Sequence, residues 1–209
     1  DDEIQSWGPH RARGYVVICP ATLSNLNERE GKFMSMKPLP YDGKLLAPLR
    51  GDHVVQEAWE SDGIEAIVEE LQRDLNVDPD RVVLTGLSGG GNLAYYALFH
   101  RRANFRAIAP RNPNFYPQNL GLAAAPAGKG PEPFPVHIFE AGNDEYAQTI
   151  GPGGPPGVRP QTEAALAELK TRGFSNVRHT VVPDVKHNES TQYYGQILDW
   201  FDEVLGRQQ

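Results

Sequence analysis

Gly86-Leu87-Ser88-Gly89-Gly90 sets one serine between two glycines at the spacing Gly-x-Ser-x-Gly. A short apolar run precedes it and a helix-like pattern follows. Where a chain reverses sharply from strand to helix, the central residue is held in a strained conformation with its side chain clear of the turn. Glycine is favoured where a Cβ would meet neighbouring backbone, so Gly86 and Gly90 are both expected to be crowded. Ser88 is then expected at the carboxyl edge of a sheet and the N-terminus of a helix. Its hydroxyl would be accessible, and the helix-end N–H groups could stabilise developing negative charge. Other glycine-rich readings fail on single positions: a dinucleotide fingerprint needs Gly where Ser88 stands. A phosphate-binding loop needs Lys and then Ser or Thr where Asn92 and Leu93 stand.

A serine hydroxyl attacks only when a base takes its proton, and the base needs an orienting acid. On a parallel sheet the expected chain order is Ser, then Asp or Glu, then His, each after a strand end. The strand-like residues 135–140 run into Ala141-Gly142-Asn143-Asp144-Glu145, and 177–183 run into Asp184-Val185-Lys186-His187. These place Asp144 as the acid and His187 as the base. Glu145 is the nearest rival acid. His137 and His179 lie inside strand-like runs, where packing accounts for them, and His10, His53 and His100 read as surface residues. No His, Cys, Asp or Glu cluster has metal-ligand spacing, so neither a metal nor a cofactor is expected.

The elements that must position these groups alternate. Residues 14–20 (GYVVICP), 81–86, 105–110, 135–140 and 177–183 read as strands, apolar throughout, as for parallel strands covered on both faces. Helical spacing of apolar residues appears over 56–75, 90–102, 161–172 and 192–205, with Gly173 as a C-terminal cap. That alternation predicts an α/β fold with a parallel sheet, one domain over residues 1–209. Residues 23–55 and 143–160 read as loops, the second carrying Gly151-Pro152-Gly153-Gly154-Pro155-Pro156-Gly157. Loops this long usually form lids or binding walls.

Composition narrows the function classes. The 209 residues carry 20 Lys and Arg against 27 Asp and Glu, a net charge of −7, which gives no electrostatic reason to bind nucleic acid. The longest apolar stretch, 15–19, is far short of the roughly 18 residues of a membrane span. A single cysteine, Cys19, excludes an internal disulfide. The first residues, Asp1-Asp2-Glu3, show no basic-then-apolar leader, which leaves the compartment open. The 21 glycines and 18 prolines exceed an average combined share of about 12% and point to many shaped turns.

With these residues in place the chain resembles the α/β-hydrolases from Tyr15 to about Leu205. Asp78-Pro79-Asp80-Arg81-Val82 leading into Gly86-Leu87-Ser88-Gly89-Gly90, with Gly142-x-Asp144 and Val185-Lys186-His187, is similar to the poly(3-hydroxybutyrate) depolymerase, feruloyl esterase and phospholipase/carboxylesterase group. The resemblance implies cofactor-free hydrolysis of small-molecule or polymeric carboxylic esters by a Ser88–His187–Asp144 triad. It implies that the Gly89 N–H donates to the oxyanion. Leu87, Arg111 and Asn112 are expected at the substrate, Arg111 meeting either a substrate carboxylate or a neighbouring acidic side chain. Tyr41 and Trp59 are candidates for an aromatic wall, although core packing serves Trp59 equally well.

The resemblance also implies a strand ending in a His-Gly-type turn, with the second oxyanion donor, ahead of what residues 1–13 (a helix) and 14–20 (the next strand) would correspond to. An upstream segment or a companion peptide is therefore expected. Two other functions fit the same residues: a prolyl-oligopeptidase-like serine peptidase, and a hydrolase-fold binding protein with an inert triad.

Overall fold

The computed structural model describes residues 13–20, 27–29, 32–34, 52–123, 132–148 and 156–207. A short antiparallel pair, β1 (Asn27–Arg29) and β2 (Lys32–Met34), comes first. Then follow α1 (His53–Leu75), β3 (Val83–Leu87), α2 (Gly89–Arg101), β4 (Ala107–Arg111), β5 (Val136–Ala141), α3 (Val158–Thr171), β6 (Val177–Val182) and α4 (Tyr194–Val204). Among the described residues β3, β4, β5 and β6 form one parallel sheet in that order. In register, Leu87 faces Arg111 and Ala141 faces Val182. The turns that leave these strands therefore share one edge.

Side-chain alternation divides the core. Ile108, Val136 and Ile138 point to one face, where Tyr95, Leu98 and Phe99 of α2 and Ala165 and Leu169 of α3 cover them. Ala107, Ala109, Phe139 and Ala141 point to the other, under Tyr194, Ile197, Leu198 and Phe201 of α4. Burying such aliphatic and aromatic side chains stabilises the fold by roughly 1.5–3 kcal/mol each. Local signals place the helix ends: the Asp52 carboxylate accepts the Val55 N–H at 3.1 Å ahead of α1. Gly173 takes φ 82 after α3, and the Phe174 N–H returns to the Leu169 carbonyl.

Four expectations change. Residues 14–20 form a turn at Gly14 and then no regular element, and they pair with no strand among the described residues. Tyr15 and Val17 instead pack beneath the α4 side of the sheet, while Arg13 and Tyr15 bond Asp202 of α4. β6 lies at an edge of the described sheet and is half-exposed, which accounts for its Arg178 and His179. Trp59 is exposed rather than core. The loop reading of 23–55 gives way to β1 and β2 and to the first turn of α1. Tyr41, His10, the 1–12 part of the helix reading and residues 151–155 lie outside the described residues.

Candidate active site

β3 ends one residue before Ser88, and α2 starts one residue after it. Ser88 sits at φ 54, ψ −114, a conformation that costs a non-glycine residue of order 1–3 kcal/mol. Three backbone hydrogen bonds hold it there. Its N–H donates to the Arg111 carbonyl at 3.0 Å, and its own carbonyl accepts from Gly91 and Asn114 at 2.9 Å each. A Cβ on Gly86 would overlap the Gly90 carbonyl. The expectation for Gly90 itself is corrected, since a Cβ there meets nothing within 4 Å. The second crowded glycine is Gly91, where a Cβ would lie 2.5 Å from the Pro113 side chain. Gly89 opens α2, so its N–H is among the helix-end donors without an intrahelical partner.

Asp144 and His187 meet because two turns are stitched together. Gly142 N–H donates to the Val182 carbonyl at 2.7 Å, and Asn143 N–H to the Val185 carbonyl at 2.9 Å. A Cβ on Gly142 would lie 3.0 Å from the Val182 carbonyl oxygen, so glycine permits this approach. Across the seam His187 Nδ1 lies 2.7 Å from Asp144 Oδ2, with both residues buried. A carboxylate only accepts, so the imidazole proton on this side is at Nδ1, leaving Nε2 for chemistry. Asp144 Oδ1 accepts the Tyr146 N–H at 2.7 Å. Glu145, the rival acid, binds the His187 backbone N–H at 3.1 Å instead. Its own N–H and that of His187 hold its carboxyl below the usual range.

Asn112 connects Ser88 to this pair. Wholly buried at φ 40, it follows Arg111, whose carbonyl holds Ser88. Its Nδ2 donates to the His187 carbonyl at 2.9 Å and its Oδ1 accepts the Ala141 N–H at 2.6 Å. The structure thus brings Ser88, Asp144 and His187 to one sheet edge through β3, β4, β5 and the turn after β6. Arg111 is 4% exposed. It donates to Thr85 Oγ1 at 3.1 Å and to the Tyr194 hydroxyl at 2.5 Å, bracing β4 against β3 and α4. Leu87 is half-buried beside the elbow.

Several residues absent from the sequence reading support the site. The most buried positions of α1 are polar: Glu57, Glu60 and Ser61. Glu57 Oε1 accepts from Asn92 Nδ2 at 2.7 Å, and Asn92 Oδ1 accepts the Tyr116 N–H at 2.9 Å. Phe115 N–H donates to Gln161 of α3 at 2.6 Å. The segment after β4 is therefore clamped by the elbow, α2 and α3 together. Behind Asp144, buried Glu140 meets Arg159 at 2.8 Å and His179 at 3.2 Å. Burial would raise the Glu140 carboxyl, but those two bonds overcome it and leave the carboxyl below its ordinary value. His137 packs as expected, stacked on Phe139 and bonded to Thr180, and burial pushes it down to about 4. His100 is not a free surface residue: its Nε2 lies 2.7 Å from the Leu120 carbonyl. Apart from the histidines, none of these had a sequence signal beyond residue type, because their partners are distant in the chain.

A groove of about 660 Å³ lies at the opposite end of the sheet, lined by Asp80, Phe105, Arg106, Pro133 and Leu205 among others. It has no nucleophile and its charges are paired, Arg106 with Asp80, Arg81 with Asp78 and Glu132 with Arg102. Among the described residues no three His, Cys, Asp or Glu side chains converge as for a metal ion. No helix there is long and apolar enough to cross a membrane.

Solved structures share this architecture. Arabidopsis thaliana SOBER1 matches at a TM-score of 0.50 with 17% identity, over 72% of this chain and 65% of that one. Esterase PE8 matches at 0.53 with 17% identity, over 73% and 63%. The fold is that of the α/β-hydrolases. A prolyl endopeptidase shares it at a TM-score of 0.53 and 15% identity, over 71% of this chain but 26% of that one. The chain spans less than two-thirds of the length of these proteins. The prolyl oligopeptidase family profile matches residues 56–129, from α1 through the elbow and β4. No curated protein sequence matches the chain. The matched stretch covers Ser88, while Asp144 and His187 lie beyond it.

Proposed function

We propose that this α/β-hydrolase is a serine esterase that cleaves carboxylic esters through an acyl-enzyme. The observation that supports it most directly is the buried Asp144–His187 bond on the same sheet edge as a serine strained at φ 54 before a helix. His187 Nε2 takes the Ser88 proton as Oγ bonds the ester carbonyl carbon. The Gly89 N–H meets the oxyanion, in a position where one such donor is worth about 100- to 1,000-fold in turnover. The intermediate collapses, the C–O bond to the alcohol breaks, and His187 returns the proton to that oxygen. Water, deprotonated by the same Nε2, then releases the acid and restores Ser88. Asp144 holds the ring and stabilises the imidazolium. Leu87 borders the reacting carbonyl, and Arg111 and Asn112 act on substrate by holding the segment that lines it. Small or aryl esters are the substrates, with plant-derived and polyester-derived esters among them.

The second reading, a prolyl-oligopeptidase-like peptidase, is favoured by the family profile over residues 56–129. Labelling with a fluorophosphonate, read by intact mass, tests the nucleophile. Ser88→Ala is expected to abolish the mass shift, and persistent labelling refutes the assignment. Rates on p-nitrophenyl acetate, methyl ferulate and a proline anilide separate the two readings: cleavage of the anilide alone selects the peptidase.

A further inference from the structure

Tyr146 is a large aromatic residue left 46% exposed two positions beyond the acid. Its ring centre lies 5.0 Å from that of His187, with the planes 81° apart. Its backbone is nonetheless held firmly. The N–H donates to Asp144 Oδ1 at 2.7 Å, and the carbonyl accepts from Val158 of α3 at 2.9 Å. The next residue, Ala147, donates to the Asp144 carbonyl and accepts from Arg159. Gly157 lets this segment dock, since a Cβ there would run into Gln148 and Ala147 backbone. An exposed ring on a fixed backbone is preorganised for contact, because little conformational freedom remains to be lost on binding.

What it contacts follows from proton transfer. Nδ1 is taken by Asp144, so the leaving alcohol must receive its proton from Nε2, with its oxygen about 3 Å away. The substituent on that oxygen therefore departs past whatever borders the imidazole, and the Tyr146 ring stands T-shaped against it. We infer that Tyr146 forms the wall of the alcohol subsite and selects esters whose leaving alcohol carries an aromatic ring close to the oxygen. This rests on the esterase reading and deepens it. Aromatic pairing beyond simple burial corresponds to about a 3- to 10-fold preference.

Benzyl acetate and cyclohexylmethyl acetate differ in the leaving group's aromaticity but little in its size. Methyl phenylacetate and methyl cyclohexylacetate make the same comparison on the acyl side. Tyr146→Ala is expected to lower the benzyl-to-cyclohexylmethyl ratio of kcat/KM about 3- to 10-fold, with the acyl-side ratio unchanged. Tyr146→Phe should retain the wild-type ratios. In the wild type, benzyl alcohol should protect Ser88 from a fluorophosphonate at a severalfold lower concentration than cyclohexylmethanol, a readout that needs no variant to fold. An unchanged alcohol ratio, an equal fall in both ratios, or equal protection by the two alcohols overturns the inference. A wild type that is labelled at Ser88 yet shows none of these preferences overturns it while leaving the esterase reading standing. A wild type that is neither labelled nor active on any ester overturns both.

Discussion

Replacing Glu57 by Gln should make the protein more stable in mild alkali and leave it nearly unchanged in acid. The Glu57 side chain is 7% exposed between α1 and α2, and Asn92 occupies Oε1. Among the described residues Oε2 is buried without a hydrogen-bond partner. Burial raises the carboxyl from 4.5 to about 7, with the Asn92 bond opposing only in part. That displacement corresponds to roughly 3 kcal/mol of preference for the neutral form. Because the folded value is the higher one, this stability is fully present below pH 4.5 and is lost as pH rises through 7. Gln keeps the acceptor for Asn92 and never ionises. Its extra N–H group stands where the protonated carboxyl would place its O–H, so the two proteins should match at pH 4.5. Urea unfolding followed by tryptophan fluorescence at pH 4.5, 6, 7 and 8.5 should show the Gln variant gaining up to roughly 3 kcal/mol over wild type, mostly between pH 4.5 and 7. A difference that stays flat across pH, or a Gln variant less stable at pH 8.5, would refute the reasoning.

Asp144→Asn is expected to lower turnover about 10³- to 10⁴-fold with a smaller change in KM, since it leaves His187 in the wrong tautomer. Glu145→Gln, whose side chain accepts only from backbone N–H groups, should stay within about tenfold of wild type in the same assay. Gly86→Ala should fail to fold or lose most of its melting temperature, because its Cβ would meet the Gly90 carbonyl. Gly90→Ala, in open space within α2, should be neutral or stabilising by about 0.5–1 kcal/mol in thermal melts.

What could be read along the chain was local. Ser88, Asp144 and His187 were legible because a strand end followed by a turn residue is a short-range pattern. The register of a parallel sheet then carries such turns to one edge. The same logic found β3 to β6, α1 to α4 and the Gly173 cap, each within a few residues of its observed bounds. Residues 14–20 looked like a strand because their composition is that of one, but ladder pairing depends on a neighbour that composition does not name. Residue type alone left Trp59 open between an aromatic wall and the core, because the faces of α1 are decided by where α2 lies.

Tertiary structure decided the rest. Gly90 and Gly91 are neighbours of the same type, and only the path of Pro113 makes the second one crowded. Arg111 looked like a rim cation and became a buried brace once Thr85 and Tyr194 closed around it. Nothing along the chain marked Glu57, which Asn92, 35 positions away, makes a buried partner. The sequence by itself determined the candidate residues and the order in which they leave the sheet, because those properties reside in short segments. Which side chains hold them in place, and which ring stands beside the imidazole, follow from contacts between segments far apart in the chain, where spacing along the backbone carries no distance in space.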